Sequence, residues 1–308
     1  MENNVIKLTL ASLYDNLQIG VAAIAPENPK AILQLVHGMC EHKERYFEMM
    51  EYLASRGYAC VIHDHRGHGE SVRTPDDLGY SYAGGYKAAI EDVLLVTKWA
   101  KTRFPGLPLY LFGHSMGSLV VRAFTKRYDE HLKGLIVCGS PSRNPAAGAG
   151  RLLASICEIV SGEHSRPGII QKIAFGSFNS AFPEAESPNA WVCSDKDTVK
   201  AYDADPLCTF QFTANGFRNL FALMQDAYSL KGWKNSNPRL PVHFIAGEDD
   251  PCIISPGKFS EAVDFMRKAG YDNVTSKLYK KMRHEIHNET DKYIVWKDVA
   301  DTLDNWMK

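Results

Sequence analysis

The chain predicts an α/β fold: a mostly parallel central sheet flanked by helices, with one mainly helical insertion. Three observations carry that prediction. Apolar runs of strand length alternate with helical periodicity through the first half of the chain, the pattern of β-α-β units joined by right-handed crossovers. A turn of small residues, Gly113-His114-Ser115-Met116-Gly117, stands between one such strand and a helix. Between Gly139 and Val242 the alternation stops over a stretch far longer than one crossover helix uses, and a long irregular stretch in a compact domain is usually functional.

In chain order, Val5–Leu10 and Ile19–Ala25 read as an antiparallel pair joined through Asp15-Asn16. Ala31–Val36 is a short buried strand running into His37-Gly38. Arg45–Arg56 has helical spacing (Tyr46, Phe47, Met50, Leu53, Ala54) and stops at Gly57, a C-cap residue. Ala59–His63 is the next strand. Tyr86–Phe104 is a long amphipathic helix ended by Pro105-Gly106, and Leu109–Phe112 is a strand, with a helix from about Ser118. Leu135–Cys138 and Val242–Ala246 are strands. Pro256–Ala269 is a helix, Ser276–Tyr279 the last strand, and a helix closes the chain. The insertion is placed at 142–236, inside a core made of 1–141 and 237–308. It holds glycines, prolines and exposed-looking aromatics such as Phe175, Phe178, Phe182 and Trp191.

With 308 residues, 45% hydrophobic and 23% charged, the chain can bury one large core. Thirty-five basic against 36 acidic side chains leave a net charge of −1, which gives no footprint for a nucleic-acid backbone or an anionic membrane. The seven cysteines are odd in number and without a C-x-x-C pair, which favours reduced thiols in the cytoplasm over a disulfide framework. Met1-Glu2-Asn3-Asn4 lacks the basic and apolar regions of a signal peptide. No run approaches the roughly 18 apolar residues of a membrane span. The expectation is a cytoplasmic protein without stable membrane insertion.

The chemistry centres on Ser115. A sharp strand-to-helix turn needs small residues two before and two after the serine, and it holds the hydroxyl above the sheet at the N-terminus of the next helix. A serine hydroxyl is a weak nucleophile and needs a base, itself oriented by an acid, in the chain order Ser, Asp or Glu, His for this turn. Of the 11 histidines only His284 and His287 follow the strand Val242–Ala246, and the loop after that strand reads Gly247-Glu248-Asp249-Asp250-Pro251. Asp249 and Asp250 are both candidates; Asp250 is favoured because Pro251 biases it to extended backbone. His284, close after the last strand, is favoured over His287, which reads as a solvated or supporting group near the terminal helix. Two backbone N–H groups must face the developing oxyanion: that of Met116, after the serine, and that of Met39, after His37-Gly38.

These stretches resemble the monoglyceride lipase and lysophospholipase group of α/β-hydrolases. The likeness rests on His37-Gly38-Met39-x-Glu41-His42-x-x-Arg45-Tyr46, Asp64-x-Arg66-Gly67-His68-Gly69-x-Ser71, Gly113-His114-Ser115-Met116-Gly117 and Tyr202-x-x-Asp205-Pro206-Leu207. Position by position it implies Ser115 as nucleophile, Asp250 rather than Asp249 as acid, His284 as base, and Met39 with Met116 as oxyanion donors. The resemblance implies a cofactor-free serine ester hydrolase working through an acyl-enzyme on a small-molecule ester, lipid-derived esters included. Where the group has hydrophobic residues early in the cap, this chain has Ser142-Arg143-Asn144-Pro145 and Gly148-x-Gly150, which turns the expectation toward monoesters with short to medium acyl chains. Phe175, Phe178, Phe182 and Phe217 of the cap are the candidate substrate contacts.

Competing readings are weaker. His63-Asp64-His65-Arg66-Gly67-His68 does not match the order of binuclear zinc hydrolases, and His284-Glu285-Ile286-His287 spaces its histidines three apart where a zinc helix needs four. No metal is expected. An amide or peptide-bond hydrolase on the same scaffold would need an acidic cap group for a free amine, with Glu184 and Glu186 available. Phe210, Phe212, Phe217 and Phe221 read as cap core more readily than as ligand contacts, and Cys252 as a buried structural thiol more readily than as one close to the site. A non-catalytic binding protein would normally carry a damaged triad.

Overall fold

The computed structural model describes residues 5–308; Met1–Asn4, on which the signal-peptide reading rests, lie outside the described residues. Eight strands form one sheet in the order β1-β2-β4-β3-β5-β6-β7-β8. β1 (Ile6–Ala11) and β2 (Gln18–Ile24) are antiparallel, and β2 meets β4 (Tyr58–His63) antiparallel. The rest pair in parallel: β3 (Ala31–Val36), β4, β5 (Leu109–His114), β6 (Gly134–Cys138), β7 (Val242–Gly247) and β8 (Val274–Tyr279). β3 to β6 are buried at every position, as expected of parallel strands covered on both faces. β1 alternates half-buried and exposed residues, as an edge strand does.

The covering helices divide into two apolar cores. On one face, α1 (Phe47–Ser55) and α9 (Lys292–Trp306) bring Met50, Leu53, Trp296 and Leu303 against Leu33, Ile62 and Phe112. On the other, α2 (Gly85–Arg103), α3 (Met116–Tyr128) and α8 (Pro256–Lys268) bring Val93, Leu119 and Phe259 against Ile32, Leu111 and Phe244. Between β6 and β7 lie α4 (Ala147–Ser161), α5 (Gly168–Phe175), α6 (Lys196–Ala204) and α7 (Ala214–Ala227). α7 joins the second core through Phe217 and Phe221, so the insertion is rooted in the domain and not merely laid over it.

Local chemistry moves several boundaries. Arg45 falls in a 3-10 turn, Lys43–Tyr46, and the α-helix starts only at Phe47. Gly57 ends the segment with φ 94°, a value glycine adopts freely. The last strand starts at Val274, earlier than the apolar pattern suggests, because β8 is an edge strand with exposed Thr275, Ser276 and Lys277. The helix after the serine turn starts at Met116 and not near Ser118, since Ser115 itself is the residue preceding the first turn.

Candidate active site

The winding of the sheet reverses at β3, whose neighbours are β4 on one side and β5 on the other. Ligand sites of open α/β sheets lie beyond the carboxyl ends of the strands at such a switch point. Val36 pairs with Gly113 there, so the loop leaving β3 and the turn leaving β5 emerge side by side. Ser115 occupies the turn with φ 51° and ψ −118°, a strained conformation for a residue with a side chain. A Cβ on Gly117 would strike the carbonyl oxygens of Val36 and His37, and one on Gly113 would strike Val121 and the Gly117 carbonyl. The small residues are therefore required by backbone approach.

Ser115 Oγ lies 2.8 Å from His284 Nε2. His284 Nδ1 lies 2.9 and 3.0 Å from the two Asp250 oxygens, and Asp250 also accepts from the Cys252 N–H at 2.8 Å. Asp250 has extended backbone before Pro251 and is buried, whereas Asp249 is exposed. Burial alone would lower the basicity of the His284 ring; the adjoining Asp250 carboxylate outweighs it and holds the ring well above the ordinary histidine value. Cys252 is buried 3.8 Å from His284 Nε2, and burial pushes its thiol up to about 11. It is neutral near pH 7. In its neutral form His284 can accept the Ser115 proton, and Asp250 can fix the tautomer with the proton on Nδ1.

A second layer holds these groups. Glu41 accepts hydrogen bonds from the Gly38 N–H and, at 3.0 Å, the Tyr46 hydroxyl, and its carboxylate lies 2.9 Å from His114 Nδ1. Arg45 donates to Glu41 at 3.1 Å and, through both terminal nitrogens at 2.6 Å, to Glu285 beside the base. Burial would raise Glu41, but His114 and Arg45 hold its carboxyl well below the usual range. A Cβ on Gly38 would contact Ser115 Cβ at 3.0 Å, so the β3 loop presses directly on the serine. Among the described residues, neither the Met39 nor the Met116 N–H donates to a protein acceptor.

A cavity of about 640 Å³ opens over these residues, within the range of small-molecule sites. Its walls are mainly apolar, with Met39, Met116, Leu153, Phe175, Trp191 and Phe221 among them. Of the four phenylalanines read as substrate contacts, Phe175 and Phe178 line it. Phe182 and Phe217 are corrections: Phe182 lies under the Arg283 guanidinium at 3.7 Å, and Phe217 is fully buried among Phe212 and Phe221. Phe210 and Phe221, read as core, do face the cavity, as does Trp191. For His287 the solvated alternative is corrected and the supporting one agrees: the ring is fully buried, stacked on Tyr46 and edge-on to His114. Cys40 and Ile254, two further residues with positive φ, line the cavity too, in keeping with the tendency of strained backbone to gather at sites.

Three groups bring possible metal donors within 4.8 Å of one another: Asp250, Cys252 and His284; His42, Asp205 and Cys208; His114, Cys138 and His287. In the first two a histidine–carboxylate hydrogen bond of 2.9 Å already engages the ring. The second pair also ties the insertion to the β3 loop, alongside the Tyr202 hydroxyl, which donates to the Cys40 carbonyl at 3.0 Å.

A strained serine between a parallel strand and a helix, on a sheet wound this way, defines a hydrolase of the α/β-hydrolase fold. A family model described as serine aminopeptidase, S33 matches residues 27–291, and the chain belongs to that family. It is 25% identical over 273 residues to a monoacylglycerol lipase of Mycolicibacterium smegmatis, covering 89% of this chain and 88% of the relative. It is 24% identical over 263 residues to the monoglyceride lipase of Homo sapiens, covering 85% and 77%. Among solved structures, a thermostable carboxyl esterase from Bacillus coagulans in complex with glycerol superposes with a TM-score of 0.91, at 25% identity and 99% coverage of each chain.

Proposed function

We propose that the protein is a serine ester hydrolase acting through an acyl-enzyme on monoesters with short to medium acyl chains. The observation that carries this is the Ser115–His284–Asp250 contact at the floor of an apolar cavity. Ser115 Oγ attacks the ester carbonyl carbon while its proton passes to His284 Nε2. The oxyanion forms against the Met39 and Met116 N–H groups. The proton then goes to the departing alkoxide, and a water molecule, activated by the same ring, releases the acid. In this reading residues 142–236 are a cap over the core of 1–141 and 237–308, and the chain works in the cytoplasm. All seven cysteines are free, which supports a reducing compartment. No helix of the described residues is long and apolar enough to cross a membrane.

The family description keeps an aminopeptidase reading in view, and the charges favour the ester reading over it. The two carboxylates lining the cavity, Glu41 and Glu285, are both engaged by Arg45. Glu184 and Glu186 are exposed and off the cavity wall. An ammonium group would therefore find no free carboxylate among the described lining residues. Asn144 and Gln171 line the cavity, and Gln171 Oε1 is buried without a protein partner, which suits a compact hydroxylated alcohol; the glycerol in the Bacillus coagulans esterase complex supports this. Leu152, Ile156, Ile159 and Val160 of α4 and Ile169 and Ile173 of α5 are exposed, and such an apolar surface supports delivery of lipid-derived esters.

Turnover of p-nitrophenyl esters of increasing chain length, against matched amides and triglyceride emulsions, tests the reading. Each methylene that fits should raise kcat/KM by about 4-fold, from about 0.8 kcal/mol per buried CH₂, until the cavity ends. A flat profile, or faster amides or triglycerides, would overturn it.

The pH profile has a fixed sign. The base must be neutral, and His284 titrates above the ordinary 6.5, so the acid limb of kcat/KM should lie above pH 6.5. Asp250→Asn should move that limb down and cost about 10⁴-fold in kcat. An unmoved limb would exclude Asp250 as its cause.

A further inference from the structure

We propose that Trp191 is a positioning residue for the catalytic base, holding the His284 ring and stabilising its protonated form as Ser115 attacks. The inference rests on the reading of His284 as base. The two rings are in tilted contact, with centroids 5.1 Å apart and planes at 41°, and a cation within about 6 Å of an indole is attracted by its π-electrons. Trp191 is the one aromatic residue of the β6–β7 insertion in ring contact with His284 among the described residues.

The contact is built, because the segment carrying Trp191 is fastened to the loop carrying His284 on both sides. The Glu285 N–H donates to the Val192 carbonyl at 2.7 Å. Arg283 donates to the carbonyls of Ala190 and Cys193 at 2.5 and 3.2 Å. Glu289 accepts from the Arg283 N–H at 2.8 Å and from the Ser194 N–H at 3.0 Å. The residues immediately before and after His284 thus grip the strip of insertion around Trp191, and the two rings are held as one unit. On its other side the indole meets Phe178 edge-on at 5.0 Å, and Phe178 meets Phe175 at 5.5 Å. An aromatic row therefore runs from α5 to the base.

The groups facing His284 leave this contact a distinct electrostatic part. Asp250 occupies the Nδ1 side, and Ser115 and the Cys252 thiol occupy the Nε2 side. The His114 ring lies 4.7 Å away, engaged by Glu41, with His287 behind it. Glu41 and Glu285 are both bound by Arg45. Trp191 thus covers the base from the insertion's side with a neutral but polarisable surface. When the proton leaves Ser115 Oγ for Nε2, positive charge appears beside the indole, which attracts it without itself titrating.

The test uses Trp191→Leu, which keeps an apolar cover but removes the π-electrons, and Trp191→Phe, which keeps a ring. Acetate esters are the substrate, so that acyl-pocket contacts do not enter. Trp191→Leu should lower kcat about 10-fold with little change in KM and move the acid limb down by about one pH unit; Trp191→Phe should keep the limb near its original position. Loss confined to KM, or a limb that stays or rises in Trp191→Leu, would overturn the proposal, since loosened packing admits water and favours the charged ring. A second readout needs no impaired variant: the Trp191 emission, taken as wild type minus Trp191→Phe, should brighten across the same pH limb as the imidazolium quencher is lost. A pH-independent Trp191 emission counts against it. If His284→Ala keeps full activity, the base assignment itself fails. If His284→Ala is inactive and Trp191→Leu keeps the wild-type limb, only the present inference fails.

Discussion

Replacing His284 by alanine is expected to lower kcat by about 10⁶-fold, with Ser115→Ala equally damaging and the double variant no worse than either. The size follows from how the groups act as a unit. Ser115 is held in a strained turn 2.8 Å from the ring, and without the ring its proton has no acceptor in reach. Without Ser115 the ring has nothing to activate except water. A fluorophosphonate probe should label the protein once, at Ser115, and labelling of Ser115→Ala equal to wild type would sink the assignment. His287→Ala is the control that separates chemistry from support. Its ring is fully buried against Tyr46 and His114, with both nitrogens unpartnered among the described residues. Truncation should therefore lower stability by leaving a cavity, while kcat per folded molecule falls far less than in His284→Ala. The reverse ranking would exchange their roles.

The serine turn was legible because its requirements are local. Gly113 and Gly117 are dictated by backbone atoms only a few residues away or on the neighbouring strand, and a five-residue pattern records that. Asp250 was legible for a similar reason, since Pro251 sets its backbone and burial follows. The cavity walls were not. Whether Phe210, Phe217 or Trp191 faces a cavity depends on how α5, α7 and the 189–194 segment pack, and an aromatic residue satisfies a core or a pocket equally well. Of the two readings of His287, solvated or supporting, only the second holds: proximity to a terminal helix does not mean solvent, because α9 folds back and Trp296 donates to the His287 carbonyl at 2.9 Å. The antiparallel start was readable from two strand-length runs joined by a short connection through Asp15-Asn16. The strand order, with β4 outside β3, is set by crossovers that leave no local trace.

Acidification from pH 6.5 to 4 should unfold the protein, because it buries neutral histidines beyond those used in chemistry. His37, His63, His65 and His68 are all almost fully buried. Their rings pack edge to face, with centroids 4.6 Å apart for His37 and His65 and 5.2 Å for His63 and His65. Both His63 ring nitrogens, His65 Nδ1 and His68 Nε2 have no partner among the described residues. Burial lowers His63 to about 4 and His68 to about 4, and pushes His37 and His65 well below the usual value. In the unfolded chain these rings titrate near 6.5, so below that pH the unfolded state binds more protons and stability falls. The loss is about 3 kcal/mol for each of His63 and His68 by pH 4, against a typical total of about 5–15 kcal/mol. His284 works in the opposite sense: its raised value adds stability below pH 6.5 that is lost as pH rises through its folded value. One such ring does not offset four. Urea unfolding at stepped pH should show the midpoint dropping steeply through this window. His63→Leu, which removes a titrating ring that makes no hydrogen bond, should flatten the slope by about 3 kcal/mol over the window. An unchanged slope in that variant would mean that His63 is not among the groups whose protonation opens the fold.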